Sequence, residues 1–253
     1  MVPGISVRTL VSLQNGLGNE EIFGDCLYGN IVAGSLTVTV ESQKRGTVVV
    51  HKLGRVGLAP FRGVSVPPQI YTLFKLIFEV EFYESAEQMK WSKALLNMMG
   101  NGVPALLGWL PERVYSDPIA FRIEMNALRE TATIMRALGI APINLLGYPV
   151  QLITWFVQWP LSILQLFRPL LRYIVASGRG GKLPSIAADL AKCSPRTEVP
   201  WLYGRVAACG HALGIRTPVC RLLTDVLSID GTFKRGRFLD NPQAVLREIR
   251  HAI

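Results

Sequence analysis

The stretch MKWSKALLNMMGN, residues 89–101, decides how the rest of this chain is read. On a helix, Lys93, Asn97 and Asn101 stand at i, i+4 and i+8, so one ammonium and two carboxamides line a single face. Trp91, Leu95 and Met98 fall on the opposite face, where they can pack inward. A solvated helix face usually mixes Lys with Glu. A Lys stacked with carboxamides suits a cleft that holds a carbonyl or carboxylate and delivers a proton. The same spacing also fits a plain, half-exposed polar stripe.

Working outward, the sequence turns helical at about residue 85 and stays so. Segments 86–100, 117–138, 198–212 and 218–228 repeat apolar residues at intervals of three and four. Gly139 and Gly214 end two of these segments, each followed by a proline (Pro142, Pro218), which is ordinary helix-stop chemistry. The first third instead has strand character. Residues 8–13 form a β-rich run ending in a turn at 14–18, and Asn19, Glu20 and Glu21 open a short helix. Residues 31–40 and 46–51 alternate and read as a hairpin joined at 42–45. A short helix over 69–78 and a strand over 79–83 close this part.

Composition narrows the class. Of 253 residues 49% are hydrophobic and 18% charged, so the chain is globular, with much buried surface. Lys and Arg number 27 against 18 Asp and Glu, for a net charge of +9, which favours anionic ligands. The basic residues are scattered, without zinc-finger or basic-aromatic patterning, so nucleic acid is not an expected partner. Cys26, Cys193, Cys209 and Cys220 form no Cys-x-x-Cys pair and no signal peptide precedes them, which reads as reduced thiols in a cytoplasmic protein. His51, His211 and His251 are far apart, and no metal site is expected.

Residues 137–167 carry no charge, which raises the question of a membrane span. Pro142, Pro149 and Pro160 cut the segment into pieces well short of the roughly 20 residues a bilayer requires. Gln151, Gln158 and Gln165 also recur every seven residues and give it a polar edge. The expectation is two or more short helices broken at Pro149 and Pro160, with Trp155 and Trp159 at least partly buried. Membrane contact is not expected. A peripheral membrane protein using residues 144–174 is the weaker reading, resting on hydrophobicity and charge alone.

Three motifs in order then carry a family resemblance. Residues 13–20, LQNGLGNE, form a Gln-Asn-Gly turn after a strand. Residues 91–101 match Trp-x-Lys-x-x-x-Asn-x-x-x-Asn. Residues 184–189, PSIAAD, are followed by RTE at 196–198 and GIRTPV at 214–219. Together they resemble ketopantoate reductase (2-dehydropantoate 2-reductase) from about residue 8 to about residue 228. The resemblance implies NADPH-dependent reduction of 2-dehydropantoate, or a related 2-keto acid, to pantoate in pantothenate and coenzyme A biosynthesis. It implies Lys93 as general acid, with Glu198 accepting from a substrate hydroxyl. Asn97, Asn101 and Ser185 would bind substrate oxygens, and Asn15 would approach the cofactor near its nicotinamide end. Lys90 lies one turn before Lys93, and its like charge is expected to ease Lys93 deprotonation.

The chain also departs from the family pattern. Pro200 and Tyr203–Gly204 stand where an acidic residue and an Asn-Gly pair are usual, which implies an altered substrate pocket. No Gly-x-Gly-x-x-Gly occurs, although that turn is what lets a helix N-terminus meet a cofactor pyrophosphate. The expected fold is α+β, mainly α. It has part of a Rossmann-type sheet over residues 1–84, lacking most of the nucleotide-binding domain, and a helical 6-phosphogluconate-dehydrogenase-like domain over 85–253. The rival expectation is a non-catalytic helical dimerisation or ligand-binding module. Homodimerisation stays open in both.

Overall fold

The computed structural model describes residues 5–44, 46–61, 65–179, 184–192, 197–228 and 235–251. Arg45, Cys193 and Arg196, which the sequence reading used, lie outside the described residues. The chain divides into two compact units, residues 1–93 with 142–150, and residues 94–141 with 151–253.

The first unit is built on a mixed four-stranded sheet in the order β1-β2-β5-β6. Strand β1 (Ile5–Ser12) runs through α1 (Asn19–Cys26) into β2 (Leu27–Leu36), and the two strands pair in parallel, with Leu10 opposite Ile31. β2 pairs antiparallel with β5 (Arg55–Pro60), which pairs in parallel with β6 (Glu79–Phe82). The core collects Val32, Val56 and Leu58, with Ile70, Phe74 and Phe78 packed against them from α2 (Pro68–Lys75) and the turn that follows it.

The expected hairpin of 31–40 with 46–51 is corrected. β2 ends at Leu36, and the hairpin is β3 (Thr39–Lys44) with β4 (Thr47–Lys52), a separate two-stranded sheet. The break is at Thr37, whose N–H donates to Arg55 O (3.1 Å) and whose Oγ1 accepts from Arg55 N (2.9 Å). That bond spends Thr37 on the start of β5, so β2 cannot run on. A Cβ at Gly54 would lie 2.5 Å from the Thr37 carbonyl carbon, so this crossing needs a glycine. Residues 142–150 fold with this unit because Ser92 Oγ accepts from Ile143 N (3.0 Å) and Tyr83 Oη from Leu146 N (2.9 Å).

The second unit is helical around α6 (Pro118–Ala137), whose Phe121, Ile123, Leu128 and Ile134 are buried. The helix opens by a standard device: Asp117 accepts from Ile119 N (2.9 Å) and Ala120 N (2.8 Å), with Pro118 in the first turn. It stops at Gly139, where φ is +74°. α11 (Arg205–Leu213) stops the same way at Gly214, φ +66°. α12 (Pro218–Leu227) lacks a cap of its own, and Glu130 of α6 reaches its free amides, accepting from Val219 N (3.0 Å) and Cys220 N (2.8 Å).

The charge-free segment folds as α7 (Val150–Phe156) and α8 (Leu161–Leu166), the breaks falling at Pro149 and Pro160 as expected. One expectation is corrected: Trp155 is 57% exposed and Trp159 half-buried, the two rings meeting edge to face. Among the described residues no helix is long and apolar enough to cross a membrane.

Burial pushes the Glu130 carboxyl up to about 7, against the pull of the two amides it accepts from. The native state therefore holds this proton more tightly than the unfolded chain does. Its contribution to stability is complete below about pH 4.5 and is lost as pH rises through about 7, by at most about 3 kcal/mol. Chemical denaturation across that range should show the slope, and Glu130→Gln should flatten it.

Candidate active site

In the first unit Asn15 stands in the turn that follows β1. Gly16 and Gly18 take φ of +91° and +95°, which lets the chain reverse tightly into α1 and leaves Asn15 exposed at the rim of the sheet. Asn19 Nδ2 donates to Asn15 O (3.1 Å), closing the turn on itself. The turn is fixed from beneath by Lys90 of α3 (Ala86–Met98). Lys90 Nζ donates to Gln14 O at 2.8 Å and Ser12 O at 3.5 Å, and pairs with Glu20 Oε1 at 2.9 Å. Both side chains of the pair are about 5% exposed or less.

The expected influence of Lys90 on Lys93 is corrected by this arrangement. Burial lowers the Lys90 pKa, and Glu20 opposes that shift. Lys90 is thus a paired charge, turned to the β1 turn, and does not act as a free positive neighbour. Lys93 is half-buried, and its Nζ donates to Leu36 O (3.0 Å) at the end of β2.

The second unit carries the rest. α3 ends at Met98, and Gly100, with φ +61°, turns the chain into α4 (Gly102–Leu107), so Asn101 is the residue before α4 and not the third member of a helical stripe. The i+8 reading is corrected for that reason. The turn is pinned twice: Glu124 accepts from Gly100 N, and Tyr203 Oη accepts from Gly102 N (2.8 Å) while donating to Met98 O (3.0 Å). Asn101, 2% exposed, donates through Nδ2 to Asn97 O and to Ser185 Oγ, both at 3.0 Å, and accepts from Ile186 N at 3.2 Å. It thereby ties the turn to the start of α10 (Ser185–Ala191), where Ser185 is exposed.

The family model described as ketopantoate reductase PanE/ApbA C terminal matches residues 85–229. The chain belongs to this family. A 2-dehydropantoate 2-reductase of Pyrobaculum aerophilum is 28% identical over 236 residues, covering 90% of this chain and 71% of the relative. Among solved structures, a PanE/ApbA family ketopantoate reductase from Ralstonia eutropha is similar at a TM-score of 0.69 and 22% identity, over 87% of this chain. The chain spans 65% of that enzyme's length. A D-mandelate dehydrogenase solved with NADH is similar at 0.66 and 20% identity, over 90% of this chain and 77% of its own. At these identities the structures speak to the fold.

Within a ketopantoate reductase C-terminal fold, Lys93 and Asn97 lie one turn apart on α3, and Asn101 and Ser185 are directly bonded. Glu198 is half-buried, and its carbonyl accepts from Trp201 N (3.1 Å) and Leu202 N (3.0 Å) at the π-helical turn Pro200–Gly204 that leads into α11. Sequence reasoning missed Tyr203 as a support. Gly102 makes the room for it, since a Cβ there would lie 2.5 Å from Tyr203 Oη, a fit that only the folded chain reveals. Sequence reasoning also missed the Glu20–Lys90 pair, whose members are 70 residues apart and carry no local mark.

Removing one member of a buried pair leaves the other charge without a partner, which costs about 3–5 kcal/mol. Lys90→Met should destabilise the fold by that order in urea denaturation. Lys90→Met combined with Glu20→Met should recover most of the loss, because neither charge is then stranded.

Proposed function

We propose that this chain supplies the acid and the substrate-binding residues with which a nicotinamide-dependent reductase converts the keto group of a 2-keto acid, either 2-dehydropantoate or a close relative, to the 2-hydroxy acid. The observation that carries the reading is the family match over residues 85–229, and the spacing of Lys93 and Asn97, one turn apart on α3, supports it. As hydride reaches the carbonyl carbon, the oxygen becomes an alkoxide. The Lys93 ammonium supplies both positive charge and the proton that converts it to a hydroxyl. Ser185 Oγ accepts from Asn101, which leaves its own hydrogen to donate to the substrate carboxylate. Asn97 holds a second substrate oxygen, and Glu198 accepts from a substrate hydroxyl. Four cysteines without a Cys-x-x-Cys pair support a reducing, cytoplasmic setting, and pantothenate biosynthesis is the pathway the resemblance implies.

The resemblance implies NADPH as hydride donor, and the NADH-bound dehydrogenase of similar fold supports a nicotinamide of some kind. Asn15 is the residue we assign to its nicotinamide end. The pyrophosphate does not fit the turn that opens α1. Glu20 and Glu21 occupy the first helical turn, where phosphate oxygens would need bare amides, and Glu21 stands where a third glycine belongs. That mismatch favours, as a second reading, a ligand-binding module without catalysis.

Titration of nicotinamide fluorescence separates the two. These 253 residues should bind NADPH weakly or not at all, and a low-micromolar dissociation constant would overturn the expectation. Reduction is then assayed with the chain itself and with a fusion that places a Gly-x-Gly-x-x-Gly strand–helix unit ahead of it. In whichever form turns over, Lys93→Ala should lower kcat by about 10²–10⁴, and Glu198→Gln should act mainly on KM. Near-normal turnover of Lys93→Ala would remove Lys93 from the mechanism.

A further inference from the structure

Tyr203 is 1% exposed, and its phenol ties together two turns of the second unit. Its Oη donates to Met98 O (3.0 Å) and accepts from Gly102 N (2.8 Å), so both bonds fall on the turn that carries Asn101. Asn101 donates in its own right to Ser185 Oγ (3.0 Å), which sets the direction of that hydroxyl. The main chain of Tyr203 belongs to the other turn, the one that begins at Glu198. Glu198 O accepts from Trp201 N (3.1 Å) and Leu202 N (3.0 Å), and Gly204 N closes the π-helical turn on Val199 O (3.1 Å). Val199 and Leu202 are fully buried, so this turn is anchored in the core on both sides of Pro200.

The Asn101 turn has a support of its own, since Glu124 of α6 accepts from Gly100 N. The phenol is therefore not what forms that turn. It fixes where the turn stands relative to the turn of Glu198, and it spends both its hydrogen and a lone pair in doing so.

We infer that Tyr203 is a positioning residue that holds Ser185 and Glu198 in register, and so makes the site selective for a 2-keto acid that also carries a hydroxyl. The inference rests on the reading above, in which Ser185 donates to the substrate carboxylate and Glu198 accepts from a substrate hydroxyl. A ligand that meets both groups needs them at one fixed separation. A ligand without the hydroxyl needs Ser185 alone and leaves the Glu198 carboxylate without its partner.

Calorimetric titration of the full chain with 2-dehydropantoate, and with trimethylpyruvate (the same acid without its hydroxyl), reads the register as a ratio of two dissociation constants. The wild-type chain should favour the hydroxyl acid by about tenfold or more, and Tyr203→Phe should bring the ratio to within about twofold. A loss of folded protein would lower the bound fraction of both acids together and leave the ratio in place. Gly102→Ala keeps the phenol but sets a Cβ 2.5 Å from its oxygen, so it should collapse the ratio too. The double variant should then go no further, because both changes act through one contact. A wild-type ratio retained by either single variant would overturn the inference and leave the reading of the site standing. Binding of neither acid by the wild-type chain, or of both equally, would overturn the reading and the inference together.

Discussion

A lysine ammonium enclosed by one carboxylate and two main-chain carbonyls is the constraint on which the first unit depends. Stripping water from Lys90 and Glu20 costs several kcal/mol for each ion, and the pair recovers that only if the remaining hydrogens also find acceptors. Gln14 O and Ser12 O supply them, and both sit at the end of β1. The electrostatic demand of one side chain on α3 therefore sets where the Leu13–Gly18 turn lies. The same demand sets the rotation of α3 about its axis, and with it the direction of Lys93. A Gln at position 90 could satisfy the carbonyls but not Glu20, which would stay buried and charged.

A comparable economy governs the turn after α3. Gly100 takes a left-handed conformation, which frees the amides of residues 100 and 102 from the helical pattern. Unpaired buried amides are costly, and the fold recruits a carboxylate (Glu124) and a phenol (Tyr203) to meet them. Asn101 is drawn into the same network and loses most of its hydrogen-bonding capacity to Asn97, Ser185 and Ile186. Its amide thereby fixes the orientation of the Ser185 hydroxyl. The bulk of Tyr203 is accommodated because position 102 has no Cβ.

What was legible in the sequence follows from the range of the forces involved. The helices of the second unit were readable because apolar periodicity, Asp117 at an N-cap and Gly139 and Gly214 at C-termini are all local signals. The α7 and α8 breaks were readable because proline acts on its own backbone. The β2 boundary was not, because it is set by Thr37 bonding to Arg55, 18 residues away. Nor was strand β5, whose residues Val56, Leu58 and Ala59 are buried without the alternation that marks a half-exposed strand. Asn101 was misplaced because the i, i+4, i+8 spacing was carried past Gly100, where the chain takes φ +61° and leaves the helix. The exposure of Trp155 was missed for a different reason: hydrophobicity predicts that a side chain leaves water, not which partner removes it.

Lys90 and Lys93 show the limit most directly. They are three residues apart on one helix, so their Cα–Cβ vectors differ by only about 60° around the axis. No pattern of spacing or propensity distinguishes them. One meets Glu20 and is enclosed as an ion pair; the other meets the carbonyl of Leu36 and stays half-exposed. A proton donor must be able to lose its proton during the reaction and regain it from solvent. A lysine locked to a carboxylate at 2.9 Å gives up its proton only by stranding that carboxylate in the core. Burial of the first lysine therefore argues against it as a proton donor, and the proposed reduction assigns that role to the second.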